Sequence, residues 1–227
     1  MLELADRYAS EAYAARRGGS TPSRGTFFMR TIYLVRHARY QNPKKINPVR
    51  MKGFPLSPSG RSKATELGNY FKKKNIFAIY TSPILRTKET ADIIGKILGI
   101  KPKINNLLIE VRTPFQGYKI SYLHKNVKDV YTDPFHTSHG GETVYQIYDR
   151  MKKVIDFYLK KNKDKNIILV SHGDPIMAYY GFNKGKKVTK EKTFTSLVKP
   201  SYIPKGGVIK ATFKDDGTLQ EIKPVNY

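Results

Sequence analysis

The stretch Thr31-Ile32-Tyr33-Leu34-Val35-Arg36-His37-Ala38-Arg39 decides how the chain is read. Thr31 to Val35 is an apolar run that stops abruptly at an arginine and a histidine. A buried strand that ends this way delivers polar side chains to the edge of a sheet, where open α/β sheets hold their ligands. Arg36 and His37 are therefore the first candidates for chemistry.

Working outward, the same pattern returns. Phe77-Ala78-Ile79-Tyr80 is a second short strand ending at Thr81-Ser82-Pro83, and Ile167-Ile168-Leu169-Val170 is an unalternating apolar run ending in Ser171-His172-Gly173. A run without alternation marks a strand buried on both faces. A third strand is expected over Ile104 to Ile109, peripheral because Asn105-Asn106 interrupts it, with Glu110 at its end. Between the strands lie helical stripes. Ser57 is the expected N-cap of a helix over Ser59 to Lys74, which aligns Ala64, Leu67 and Phe71. Thr87 to Leu98 aligns Ala91, Ile94 and Leu98, with Gly99 as C-cap. Thr143 to Lys161 is the clearest helix, with Val144, Ile147, Tyr148, Met151, Val154, Ile155 and Tyr158 on one stripe, and Pro175 opens a short helix to Tyr180. Val208 to Phe213 and Leu219 to Val225 flank Asp216-Gly217, a hairpin signal. Strands alternating with helices imply an α/β sheet, largely parallel with an antiparallel end. Three segments remain irregular: the long loop Tyr40 to Pro58, an aromatic and histidine-rich excursion over Val111 to Gly141 with a helix near Ile120 to Val130, and the basic segment Asn183 to Lys205. The last two, residues 111–141 and 183–205, are expected to be lids.

The chain of 227 residues is long enough for one large domain, and 39% hydrophobic with 12% aromatic residues is too much for a disordered one. No apolar run approaches the eighteen or so residues of a membrane helix, and without cysteine there are no disulfides or thiolate metal sites. The expectation is a soluble, cytoplasmic protein. The net charge of +24 favours polyanionic partners, although lysine runs such as Lys72-Lys73-Lys74 read as solubilising helix ends. Residues 1–28 differ in composition, with no lysine, and Met29 stands directly before the first strand. They read as a disordered tag or leader extension outside the fold. Glu3, Asp6 and Glu11 argue against a transit peptide. Residues 29–227 are then the single domain.

Two arginines and two histidines at neighbouring strand ends suit a tetrahedral dianion, and a phosphate is the natural guest. Here the chain resembles the histidine phosphatase superfamily, the phosphoglycerate-mutase-like family. Leu34-Val35-Arg36-His37-Ala38 is similar to its Leu-x-Arg-His-Gly signature, Thr81 to Ala91 to its second arginine motif, and Val170-Ser171-His172-Gly173 to its second histidine motif. Gly53, Pro55-Leu56-Ser57 and Gly60 resemble its entry into the first helix, and Gly141-Glu142-Thr143 its Gly-Glu-Ser helix start. The chain departs from the pattern at Ala38, where the family has glycine, and at Asn42, one residue earlier than the family's phosphate-binding asparagine.

The resemblance implies a three-layer α/β/α sandwich with a mostly parallel sheet, an antiparallel C-terminal strand and a lid insertion. It implies that His37 is a nucleophile forming a phosphohistidine, that Arg36, Arg86 and His172 hold the phosphoryl oxygens with Asn42 as a lesser contact, and that Glu110 is the proton donor. A neutral imidazole already carries a free lone pair near pH 7, so its other nitrogen is expected to donate to a backbone carbonyl. A ring of fixed cations can replace a metal, so neither metal nor cofactor is expected. Glu142 competes with Glu110 as the acid, but at a helix start it also suits a dipole-favoured structural role. Ser82 reads as a turn or N-cap residue, His124, His136 and His139 as exposed loop residues, and Tyr118 and Tyr122 as lid packing. The expected activity is metal-independent hydrolysis of a small-molecule or protein phosphomonoester. A phosphoglycerate-mutase-type phosphotransferase is the alternative, and an inactive nucleic-acid-binding or scaffold protein the alternative of another class. Nucleic acid and membrane are not expected partners, and a homodimer is left open.

Overall fold

The computed structural model describes residues 29–161, 165–185, 194, 198 and 202–227. The 1–28 extension and residues 186–193, 195–197 and 199–201 of the expected second lid lie outside the described residues.

Strand β1 (Arg30–Arg36) is buried almost throughout, and its alternating side chains serve two different cores. Ile32 and Leu34 join a cluster with helix α5 (Val144–Lys161) and helix α6 (Gly173–Asn183), whereas Tyr33 and Val35 join one with α1 (Pro58–Phe71) and α2 (Leu85–Leu98). Strand β4 (Asn166–Ser171) divides in the same way, with Ile167 and Leu169 facing α5 and Ile168 and Val170 facing α1 and α2. Burial on both faces is why neither strand alternates apolar with polar residues. Each fully buried leucine, isoleucine or phenylalanine in these cores contributes about 1.5–3 kcal/mol.

With β2 (Ile76–Thr81), β3 (Lys103–Ile104), β5 (Val208–Phe213) and β6 (Leu219–Val225), the sheet has the order β3-β2-β4-β1-β5-β6. The first four are mutually parallel, β5 runs antiparallel to β1, and β6 antiparallel to β5. Register then assembles the site edge. Arg36 pairs with Ser171 and Thr81 with Val170, so His37, Ser82 and His172 emerge side by side.

Local signals explain most element ends. Ser57 Oγ accepts from Gly60 N–H at the start of α1, and Gly99 ends α2 in the left-handed conformation. The third strand is shorter than expected. Only Lys103–Ile104 pairs, because the Asn105 side chain caps Leu107 N–H and opens a 3₁₀ turn over Asn106–Leu108. The excursion holds α3 (Ile120–Asn126) and α4 (Pro134–Ser138). It is clasped to the long loop after β1 through Asn47 N–H to the Tyr118 carbonyl and Gly117 N–H to the Asn47 carbonyl, both 2.8 Å.

Candidate active site

His37 follows β1 directly, is 2% exposed, and is held by its own N–H to the Ser171 carbonyl at 3.0 Å. Its ring Nδ1 lies 2.8 Å from the Ala38 carbonyl, which can only accept, so Nδ1 carries the hydrogen. Nε2 is then a lone pair, and Arg86 Nε donates to it at 3.1 Å. Burial, with the charge of Arg86 next, holds the His37 pKa well below the ordinary imidazole range. The ring is neutral and aimed.

Arg86 lies in the first turn of α2 and is among the most deeply buried large side chains described. Its Nη2 donates to the Val49 carbonyl at 2.8 Å and to His172 Nδ1 at 3.2 Å. Val49 has a φ of +40°, a strained conformation for a β-branched residue, held where its carbonyl meets Arg86. Since Arg86 donates to Nδ1 of His172, the other ring nitrogen, Nε2, donates to Ser82 Oγ at 2.9 Å. Ser82 also accepts from Ile84 N–H, so it both opens α2 and orients His172. Burial, then Arg86 and His37, keep His172 neutral.

Arg36 donates from Nη1 to the Ile203 carbonyl at 2.7 Å and packs against the Tyr202 ring. Arg36 Nε and Arg86 Nη1 are buried without a hydrogen-bond partner among the described residues. Unsatisfied buried donors of this kind cost about 1–3 kcal/mol each, and the oxygens of a tetrahedral anion would satisfy both.

Glu110 follows the 3₁₀ turn rather than a strand. Ser171 Oγ donates to the Leu108 carbonyl at 2.7 Å and so ties that turn to the end of β4. Glu110 Oε2 comes within 3.5 Å of His172 Nδ1 and 3.8 Å of Arg86 Nη2. Burial pushes its carboxyl up to about 7, with the charge of Asp174 adding and Arg86 opposing. Glu142 is held differently: Arg150 grips it at 2.6 and 3.2 Å, Arg50 at 3.4 Å, and it accepts from Arg112 N–H. That is a structural ion cluster at the base of α5.

The remaining candidates separate. Asn42 spends its side chain on Ile46, donating to the carbonyl and accepting from N–H, so it clasps its own loop. Ala38 is fully buried beside Leu56 and Ala64 without a positive φ, so the family's glycine is dispensable there. His124 and His139 are exposed as expected, but His136 is not. It is 1% exposed, bonded to Thr113 Oγ1 and the Glu142 carbonyl, and serves the excursion's core.

Several residues at the site carried no readable signal. Asp174, in the first turn of α6, accepts from Tyr131 Oη at 2.6 Å and from the Tyr202 hydroxyl. A Cβ at Gly173 would collide with Tyr202 and Arg36, so this glycine permits their close packing. Tyr40 edges the His37 ring at a 5.4 Å centroid distance and lies 5.3 Å from the Arg86 guanidinium. An aspartate before a proline reads as a helix start, and a tyrosine after Arg39 as loop, so sequence alone gave neither away.

The profile of the histidine phosphatase superfamily, branch 1, matches residues 32–210. The chain belongs to that superfamily, and as an enzyme it is a phosphatase of the phosphoglycerate-mutase-like kind. Phosphoserine phosphatase 1 of Hydrogenobacter thermophilus is 27% identical over 176 residues, covering 72% of this chain and 80% of that protein. A probable phosphoglycerate mutase of Salmonella choleraesuis is 25% identical over 158 residues, covering 64% and 70%. The solved structure of mycobacterial glucosyl-3-phosphoglycerate phosphatase superimposes with a TM-score of 0.70 at 16% identity, covering 88% of this chain and 98% of that one. Among the described residues no helix is long and apolar enough to cross a membrane.

Proposed function

We propose that the protein hydrolyses phosphomonoesters through a phosphohistidine on His37. The observation that carries this reading is the His37 ring itself, with Nδ1–H on the Ala38 carbonyl and the Nε2 lone pair turned to Arg86. Nε2 attacks phosphorus, the ester P–O bond breaks, and Glu110 gives its proton to the leaving oxygen. Water then attacks phosphorus, the N–P bond breaks, and Glu110 takes the proton back. Arg86 Nε, released from Nε2 as the bond to phosphorus forms, turns to a phosphoryl oxygen together with Arg86 Nη1 and Arg36 Nε. Fixed donors that meet charge spread over equatorial oxygens supply most of the catalysis in such transfers. His172, neutral with Nε2–H on Ser82 Oγ and Nδ1 accepting from Arg86, keeps Arg86 in place for that contact.

Rapid quenching of turnover with ³²P-labelled substrate tests the intermediate. Label bound to the protein, lost in acid and stable in base, is expected, and His37→Ala should carry none. Labelling that survives this substitution would remove His37 as the nucleophile. Rapid isomerisation of 3-phosphoglycerate with little phosphate release would reassign the protein as a mutase.

A further inference from the structure

The first turn of α6 carries a carboxylate whose two oxygens are both taken by tyrosines from distant segments. Tyr131 Oη donates to Asp174 Oδ2 at 2.6 Å, and the Tyr202 hydroxyl donates to Oδ1. Burial and the Asp174 charge push both phenols well above their ordinary pKa, so both remain donors. Among the described residues no cation pairs with Asp174. The start of a helix favours its negative charge, and hydrogen bonding is what the carboxylate does there. Tyr131 is itself fixed, edge-on to His136 and to Phe194 at centroid distances of 5.5 and 4.9 Å. Asp174 is thus held from one side and holds Tyr202 on the other.

Tyr202 leads to Arg36. The guanidinium lies 5.1 Å from the centre of the Tyr202 ring, and its Nη1 donates to the carbonyl of the next residue, Ile203, at 2.7 Å. Ile203 N–H donates in turn to Met177 Sδ at 3.4 Å. Asp174 and Met177 stand three residues apart on α6 and so share one face of the helix. That face grips residues 202 and 203, and these two grip the guanidinium with a ring and a carbonyl. Gly173 leaves the space, since a Cβ there would come within 3.1 Å of Arg36 Cζ. The group that this cradle leaves unpaired is Arg36 Nε, buried without a partner among the described residues.

We propose that Asp174 is a positioning residue for the phosphoryl pocket, acting through Tyr202 to hold the Arg36 guanidinium with Nε turned to a phosphoryl oxygen. The inference rests on the phosphatase reading of the site. A guanidinium is a planar fork, and its donors meet an oxyanion in line only where the plane is fixed. Arg36 has no carboxylate partner among the described residues to fix it, so the ring and the carbonyl do so. This role is separate from the charge of Asp174 on Glu110, which concerns the proton and not the phosphoryl oxygens.

Orthovanadate, an oxyanion that can take up the trigonal-bipyramidal geometry of phosphoryl transfer, tests the cradle by calorimetry without requiring turnover. Tyr202→Phe removes the hydroxyl and keeps the ring. It should weaken orthovanadate binding about tenfold and lower kcat/KM on p-nitrophenyl phosphate by a similar factor. In an Arg36→Lys background the same change should cost less than about twofold, because the group being positioned is already gone. Asp174→Asn keeps an oxygen for Tyr202 and should bind orthovanadate within about threefold of the unmodified protein, whereas Asp174→Ala should lose about tenfold. Unchanged affinity in Tyr202→Phe, an equal loss with and without Arg36, or equal losses in the two Asp174 variants would overturn the assignment and leave the phosphatase reading intact. An unmodified protein that neither binds orthovanadate nor hydrolyses p-nitrophenyl phosphate would instead remove the phosphatase reading, and this inference with it.

Discussion

Arg86 Nε donates to His37 Nε2 at 3.1 Å, so the lone pair of the His37 ring rests against the guanidinium that the proposed mechanism turns to the phosphoryl group. One arginine therefore orients His37, bonds Val49 and His172, and keeps a buried N–H without a partner among the described residues. A lysine has neither the fork nor the reach for these contacts. Arg86→Lys should lower kcat/KM on p-nitrophenyl phosphate by about 100-fold or more while the far-ultraviolet circular dichroism stays unchanged. Activity within threefold of the unmodified protein would show that a point charge suffices.

Glu110 should set the alkaline limb of the rate profile. With its pKa at about 7, the acid is available below neutrality and is lost as pH rises above it. kcat/KM for a substrate with a poor leaving group should fall up to tenfold per pH unit above about 7, after correction for substrate ionisation. Glu110→Gln should erase that limb and harm poor leaving groups more than p-nitrophenyl phosphate. Asp174 raises the Glu110 pKa, and Arg86, Arg36 and the Val111 N–H oppose it, while His172, Tyr40, Tyr131 and Tyr202 complete the surroundings. Asp174→Asn should move the limb to lower pH, and an unmoved limb would show that Asp174 does not act on Glu110.

Stability should fall as the solution is acidified. His37 and His172 have folded pKa values well below the ordinary 6.5, so below about pH 6.5 the unfolded chain binds protons that the folded protein refuses. Each contributes a loss of up to about 1.4 kcal/mol per pH unit. Glu110 opposes them, because its raised pKa makes the folded state bind the extra proton between its unfolded value and about 7. Two histidines outweigh one carboxyl, so urea midpoints should decline from pH 6.5 to 5, and less steeply in His37→Ala. A slope unchanged by that substitution would contradict the neutral buried ring.

Glu142 should matter for folding and not for proton transfer. Glu142→Ala leaves Arg150 without its carboxylate in a site where both side chains are nearly enclosed, 12% and 11% exposed. A loss of about 3 kcal/mol is expected from breaking such a pair. The alkaline limb should keep its position, since Glu110 sets it. A displaced limb in a stable Glu142 variant would return Glu142 to the list of acids.

Much of this was legible because its causes are local. The unalternating run at β4 announced burial on both faces, the apolar run at β1 announced a buried strand, the α5 stripe announced its packing side, and Asp216-Gly217 marked the β5–β6 hairpin. Even the tautomer of His37 follows from a carbonyl one residue away. The strand expected over Ile104 to Ile109 gave way because a single asparagine side chain offered the backbone a competing hydrogen bond. His136, an ordinary loop histidine by sequence, is buried because Thr113 and Glu142 enclose it from either side of the excursion.

The sequence by itself determined the order of elements and the identities of Arg36, His37, Arg86, Glu110 and His172 as candidates, because periodicity and strand-end motifs are properties of neighbours in the chain. Tertiary structure alone decided what each is worth. The protonation of Glu110, the confinement of Glu142 to an ion cluster, and the clasp of Asp174 by Tyr131 and Tyr202 depend on burial and Coulomb interactions. Those act between groups far apart in sequence and a few ångströms apart in space.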